Sequence, residues 1–219
     1  GVLLTYPVRT DADKPVRKIL LPPDTSRPAA DIKLGVLGAG NYAQAVFLPV
    51  IRKTGGAELA GITTASGMSA QQAARKFGFG FAATSEEEIL TIPEINTVVI
   101  LTRHQHHTRQ VLKALRNKKA VYCEKPLALN QAELDEIEAE LSSADTPLLT
   151  VGYNRRFAPM AQQLAEFLKA RSEPLFIQYR VNAGAFPMTH WLHDPLQGGG
   201  RIIGEGCHFI DFLTFLVGD

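Results

Sequence analysis

The stretch "IKLGVLGAGNYA", residues 32–43, runs a short apolar strand into two glycines and then into a helical pattern. Within it, Gly38-x-Gly40-x-x-Ala43 has the spacing of a dinucleotide-binding turn. Gly38 permits the tight turn out of the strand, Gly40 lets the backbone approach a pyrophosphate with no Cβ in the way, and Ala43 keeps the helix close to the strand. Asn41 and Tyr42 open that helix, whose N-terminus faces the anion, and join the candidate cofactor contacts. The alternative is a strand–helix turn with no ligand. The long alternation of strands and helices downstream argues against it.

In that alternation, "AELAGITT" (57–64) reads as a strand and "SAQQAARKFG" (69–78) as a helix stopped by Gly78. "GFAAT" (80–84) is a brief strand, and Ser85 is expected to cap a short helix after it. "NTVVILT" (96–102) is a strand apolar through its centre, as a strand covered on both faces should be. A helix is expected from about His106 to Lys118, its basic last turn suiting the helix dipole. "AVYC" (120–123) is the next strand, Asn130 and Glu133 make a capping-box-like start to a helix through Leu141, and "PLLTVGYN" (147–154) is another strand. This order predicts an α/β fold, a doubly wound parallel sheet of Rossmann type over residues 32–153. Beyond it, "PMAQQLAEFLKAR" (159–171) is amphipathic and "LFIQYRVN" (175–182) alternates like a strand with one exposed face.

Residues 1–31 have another texture. "GVLLTYP" resembles a lone strand, and "RTDADKPVRKILLPPDTSRPAAD" is rich in Pro, Asp and Arg, so the segment reads as a linker or extended arm from an upstream region. The chain opens on Gly1 and ends at Asp219 in what reads as the beginning of a second domain, so a piece of a longer protein is expected.

Composition removes several classes. With 23 basic and 22 acidic residues in 219, the chain lacks the charge footprint of a nucleic-acid binder. No apolar run approaches the ~18 residues of a membrane span. Cys123 and Cys207 make no disulfide framework and read as free thiols, which fits a reducing cytoplasm.

An NAD site usually carries an acid about 20 residues beyond the glycine turn, for the ribose 2′-hydroxyl. Here that place reads "ITTASG" (62–67), with Thr63, Thr64 and Ser66 and no acid. A hydroxyl cluster before a glycine can hold a 2′-phosphate, which leans the cofactor toward NADP. The competing reading is that these hydroxyls cap the next helix. Arg75 and Lys76 lie two to three turns further on.

"AVYCEKPLALN" (120–130) ends a buried strand on Glu124, Lys125 and Pro126. Neighbouring side chains of a strand face opposite sides, so the two charges need not pair with each other, and Pro126 ends the ladder. Either this is a solvated strand end or Lys125 is delivered to a site. An ammonium beside a reacting oxygen can stabilise alkoxide charge or relay a proton.

Taken together, "GVLGAGNYA", "TRHQHH", "CEKP", "GYNRRF" and "GGGRIIGEGCHFID" resemble the glucose–fructose oxidoreductase / inositol dehydrogenase (Gfo/Idh/MocA) family over residues 33–219. The resemblance implies a Rossmann domain (32–153) followed by an α+β domain with a mostly antiparallel sheet, begun at 154–219. It implies NAD(P)-dependent hydride transfer at a hydroxyl or carbonyl carbon of a sugar, cyclitol or nucleotide-sugar, and a sheet face that can make a homo-oligomer. By resemblance Lys125 sits near the nicotinamide and the reacting oxygen, Glu124 belongs to the cofactor side, and Thr102 and His107 belong to the cofactor loop. The Lys125–Pro126 bond is often cis in such enzymes. Where family members read Thr-Pro-Asn, this chain has Thr102, Arg103 and His104.

Family members also carry Asp four residues before a histidine that here is His208. This chain has Gly204 in that place and Glu205 beside it. His208 is the expected general base, with Lys125 as partner; a helix-packed structural histidine is the alternative. Glu205 could replace the aspartate only if the backbone bends at Gly204 and Gly206. No metal site is expected, since adjacent helix residues diverge. Trp191, His193, Arg201, Arg156, Asp211 and His208 itself are the candidate substrate contacts, with Asn154 and Arg155 nearby and one arginine of "NRRF" expected in an ion pair. The missing aspartate also motivates two other readings: a dinucleotide-binding module without turnover, and transient cofactor use as in the family's NAD-dependent glycosidases.

Overall fold

A computed structural model of the chain describes residues 17–22 and 31–218. The lone-strand reading of "GVLLTYP" lies outside those residues. Seven strands form one sheet: β1 (Lys18–Leu20), β2 (Ile32–Leu37), β3 (Ala57–Thr63), β4 (Phe81–Ala83), β5 (Thr97–Ile100), β6 (Ala120–Cys123) and β7 (Leu149–Val151). Their spatial order is β1-β4-β3-β2-β5-β6-β7. Every pairing is parallel except β1 with β4. This is the doubly wound Rossmann sheet expected from the alternation.

Helices α1 to α5 cover both faces: α1 (Leu48–Thr54), entered through a π-helical stretch Ala43–Phe47, α2 (Gly67–Phe77), α3 (Glu87–Leu90), α4 (His107–Arg116) and α5 (Gln131–Leu141). Beyond the sheet, α6 (Pro159–Leu168) and α7 (Cys207–Val217) pack on each other. The strands alternate as extended backbone dictates. Leu34, Val36 and Val99 pack on one face with Leu48, Ala70, Ala73 and Phe77. Leu37, Val98 and Ile100 pack on the other with Ile89, Val111, Leu115 and Ile137.

Turn chemistry ends the elements where the residues require it. Gly78 closes α2 in the left-handed conformation, its N–H donating to the Ala74 carbonyl. Asn130 caps α5, its side chain accepting from the Glu133 N–H at 3.0 Å. The Glu133 carboxylate reaches back one residue further than a capping box does, to the Leu129 N–H at 2.8 Å. Ser85 does not cap α3. The residue before that helix is Glu86, and Ser85 offers only its carbonyl, to the Glu88 N–H.

Two further expectations change. Within the arm, Lys18–Leu20 adds an antiparallel strand along β4, and the Lys18 ammonium lies 4.2 Å from the centre of the Phe81 ring. The pairing covers a row of backbone groups that β4 would otherwise present at the sheet edge. Residues 175–182, expected as a strand, form none. An isolated strand cannot satisfy its own backbone, and no described segment pairs with this one.

Candidate active site

The strand order reverses at β2, so the loops after β2 and β5 part at the carboxyl edge of the sheet and open a crevice between them. Gly38 sits at the narrowest point. Its φ is +99°, and a Cβ there would lie 2.7 Å from the Leu101 carbonyl oxygen and 3.0 Å from the Thr102 nitrogen. Its N–H donates to the Thr63 carbonyl at 2.8 Å, tying the turn to the end of β3. Gly40 differs in kind. A Cβ at Gly40 would meet no protein atom within 4 Å, and its backbone is not in the left-handed region. Neither packing nor conformation demands glycine there, so the open face of Gly40 is a cradle that a side chain would fill. The turn fits a dinucleotide pyrophosphate on that ground.

The crevice widens into a cavity of about 1480 Å³. Gly38–Ala43 make one wall and Thr64, Ser66, Ser69 and Thr84 one end; the loop from Leu101 to His107 faces them. Glu124, Lys125, Asn154, Arg155, Trp191, Glu205 and His208 line the cavity as well. The expected cofactor residues, Lys125 among them, thus all border one space with His208.

β6 ends at Cys123, and the bond between Lys125 and Pro126 is cis. Glu124 and Lys125 both reach the cavity and take different partners. The Tyr122 hydroxyl donates to Glu124 Oε1 at 2.9 Å, and Lys125 Nζ donates to the Gly204 carbonyl at 2.8 Å. Burial raises the Glu124 carboxyl above its ordinary range, against the Tyr122 hydrogen bond and the Lys125 charge, which pull it down. Burial, then the nearby Glu124 charge, raises the Tyr42 phenol.

His107 is fully buried at the start of α4. Its Nδ1 lies 2.7 Å from the Pro126 carbonyl and its Nε2 3.1 Å from the Thr102 carbonyl. Both carbonyls only accept, so the neutral ring donates to one of them, Pro126 being the nearer, and its position between the two packs the Thr102 loop against the Lys125–Pro126 turn. Burial lowers its pKa. Thr102 in turn donates to Gln110 Oε1 at 2.6 Å.

The backbone does bend before His208, in a π-helical stretch Ile202–Gly206. Glu205 nevertheless makes no hydrogen bond to the imidazole and accepts from Arg201 Nε at 2.7 Å. His208 Nδ1 is buried without a protein partner, and burial followed by the Lys125 charge brings the ring down to about 4. The Tyr153 ring packs edge-on against it, centroids 6.0 Å apart.

Four of the six expected substrate contacts do not border the cavity. Arg156 and Asp211 pair with each other, binding the turn Asn154–Phe157 to α7. Arg201 is held by Glu205 and by the Gly184 carbonyl, with its guanidinium over the Phe186 ring. His193 turns inward, its Nε2 buried and unpartnered. Arg155 faces the cavity instead of Arg156. In a 3₁₀ turn successive side chains project about 120° apart, so only one of two adjacent arginines can point there. Sequence reasoning also passed over His104, Arg103 and Glu86. The Arg103 guanidinium lies 5.3 Å from the centre of the Trp191 ring. Burial raises the Glu86 carboxyl, but hydrogen bonds from Arg109, Lys113 and Gln110 outweigh it and hold the group at about 2. Arg75 and Lys76 do not border the cavity; Lys76 lies over the Phe77 ring instead.

Fold and crevice define a Rossmann dinucleotide-binding protein with a lysine and a histidine brought to the cofactor cleft. Residues 32–153 match the family described as oxidoreductase family, NAD-binding Rossmann fold, and the chain belongs to this Gfo/Idh/MocA family. It is similar to 1,5-anhydro-D-fructose reductase of Ensifer adhaerens, 31% identical over 192 residues that cover 84% of this chain and 56% of that protein. Among solved structures, myo-inositol dehydrogenase of Lactobacillus casei in complex with NAD(H) and myo-inositol is 29% identical. It covers 63% of this chain and 41% of that one, with a TM-score of 0.56. A 3-ketoreductase of Actinomadura kijaniata with NADP and TDP-benzene shares the fold at 20% identity and a TM-score of 0.72, covering 85% of this chain and 57% of that one. The chain spans about half the length of the curated relatives it matches. Among the described residues no helix is long and apolar enough to cross a membrane.

Proposed function

We propose that the protein is an NAD(P)-dependent oxidoreductase that moves a hydride between the nicotinamide and a hydroxyl-bearing carbon of a sugar, cyclitol or nucleotide-sugar. The observation that carries this reading is the delivery of Lys125 into the same cavity as the Gly38–Gly40 turn. A bound nicotinamide would supply the hydride acceptor or donor. The turn at Gly40 would hold the pyrophosphate, with Asn41 and Tyr42 beside it. Lys125 Nζ, held by the Gly204 carbonyl, would donate to the reacting oxygen and offset its developing charge. His208, neutral above its depressed pKa, would take the hydroxyl proton. Trp191 would give the sugar an apolar face, and Arg155 a cation for a charged substituent. A reducing compartment suits its two free thiols.

NADP is the proposed preference. The end of β3 carries no carboxylate, and Thr64 and Ser66 line that end of the cavity. Thr64 Oγ1 bonds within the turn, to the Ser66 carbonyl at 2.6 Å, whereas the Ser66 side chain caps nothing. A binding module without turnover is favoured by one observation, the unpartnered Nδ1 of His208. The test is a panel of polyols and their ketones with NADPH and NADH, followed by the near-ultraviolet absorbance of the reduced cofactor. Substrate-dependent change abolished by Lys125→Met supports the oxidoreductase. Cofactor binding without change for any member supports the module.

A further inference from the structure

His104 begins the 3₁₀ turn His104–His106 on the cavity wall. Its Nδ1 lies 3.0 Å from the Gly198 carbonyl oxygen. A carbonyl only accepts, so Nδ1 carries the proton and Nε2 keeps its lone pair. The ring is held in that orientation from two further sides. Trp191 packs against it at 76° with centroids 4.9 Å apart, and Gly204 comes so close that a Cβ there would lie 3.1 Å from His104 Cε1. Cε1 lies between the two ring nitrogens, and the Gly204 carbonyl holds Lys125 Nζ, so the ring and the lysine ammonium meet at one residue. Nε2 makes no hydrogen bond among the described residues, yet it is not among the buried unpartnered atoms there, which are His193 Nε2 and His208 Nδ1. His104 lines the cavity, so this partly exposed acceptor is open to a ligand from there. Burial keeps the ring neutral by lowering its pKa to about 4. An acceptor-only nitrogen and an ammonium donor that line the same cavity and share Gly204 as a neighbour make a two-point hydrogen-bonding frame.

We propose that His104 Nε2 accepts a hydrogen bond from a second hydroxyl of the substrate, so that the site selects polyhydroxylated substrates over analogues lacking that hydroxyl. The inference rests on the oxidoreductase reading. A site built to bond a hydroxyl rejects its deoxy analogue, because the buried partner is left unpaired.

The experiment uses the chain saturated with NADPH or NADH. Myo-inositol, levoglucosan and 1,5-anhydro-D-fructose are titrated, each beside its monodeoxy analogues, against wild type, His104→Asn and His104→Phe. His104→Asn keeps an N–H for the Gly198 carbonyl, and His104→Phe keeps the ring against Trp191. Expected is a preference of about ten- to hundredfold for one parent polyol over one deoxy analogue in wild type. Both variants should lose that preference while dinucleotide affinity stays within about threefold. The same preference in all three proteins, or no response of the dinucleotide-bound wild type to any polyol, overturns the proposal. Failure of the dinucleotide itself to bind overturns the oxidoreductase reading beneath it.

Discussion

Replacing Gly38 and Gly40 by alanine, one at a time, separates a glycine that the fold requires from one that a ligand requires. At Gly38 the backbone stands at φ +99°, where an L-residue costs about 1–2 kcal/mol. The new Cβ would also sit 2.7 Å from the Leu101 oxygen and 2.8 Å from its carbon, both backbone atoms that must shift with β5. Overpacking of that kind adds about 1–3 kcal/mol. The sum, roughly 2–5 kcal/mol, lowers Tm by on the order of 5–15 °C in a domain of this size. At Gly40 the Cβ meets nothing. Loss of a good helix-capping residue and the lower entropy of the unfolded chain nearly cancel, so stability changes by less than about 1 kcal/mol. The cost of Gly40→Ala falls on the cofactor, whose affinity should drop at least about tenfold, or ~1.4 kcal/mol. Thermal melts by circular dichroism and fluorescence titration of NADPH on the same samples read both quantities. If Gly40→Ala melted as early as Gly38→Ala, or bound NADPH as wild type does, the assignment of Gly40 to the cofactor would be refuted.

Three other outcomes are expected from the same geometry. Lys125→Met should lower kcat by about a hundredfold or more, with NADPH affinity changed only a few-fold, if the lysine has its proposed role at the substrate oxygen; steady-state kinetics beside the binding titration check this. Burial lowers His104 and His208 to about 4 from an ordinary 6.5, so the unfolded chain takes up their protons first as pH falls. The stability contributed by these neutral rings is complete above pH 6.5 and is lost as pH falls toward about 4, and His208→Gln should flatten that part of a Tm-against-pH curve. Asp211→Asn, at a side chain 9% exposed, should cost about 1–3 kcal/mol by leaving Arg156 without its carboxylate, seen as a lower urea midpoint with little change in NADPH binding.

The Rossmann part was legible because its signals are local. Buried parallel strands read as short apolar runs, and Gly38 and Gly78 mark turns that only glycine makes without strain. The arm was misread at Lys18–Leu20, since three residues among prolines carry no period of their own and gain strand structure only from the edge of β4. Residues 175–182 erred in the other direction, because alternation marks a surface that could pair and says nothing of a partner. At the site, Gly40 was readable from motif spacing, and Lys125 and His208 as candidates from the family resemblance. Sequence reasoning picked Arg156 where the structure turns Arg155 to the cavity, since the directions of two adjacent arginines depend on the pitch of one short turn. It also could not show that Glu205 bonds Arg201, since a carboxylate one residue from Gly204 is equally near His208 in sequence. His104 was passed over because its meaning lies in three distant contacts: the Gly198 carbonyl, the Trp191 ring and the bare Cα of Gly204.

The central claim, that the crevice between β2 and β5 is a working nicotinamide dinucleotide site, is tested most directly by titrating NADPH and NADH side by side into the folded wild-type chain and following cofactor fluorescence. The account predicts saturable binding of both, tighter for NADPH, and weakened by Gly40→Ala. Absence of saturable binding by either cofactor, from a chain that melts cooperatively, would contradict it.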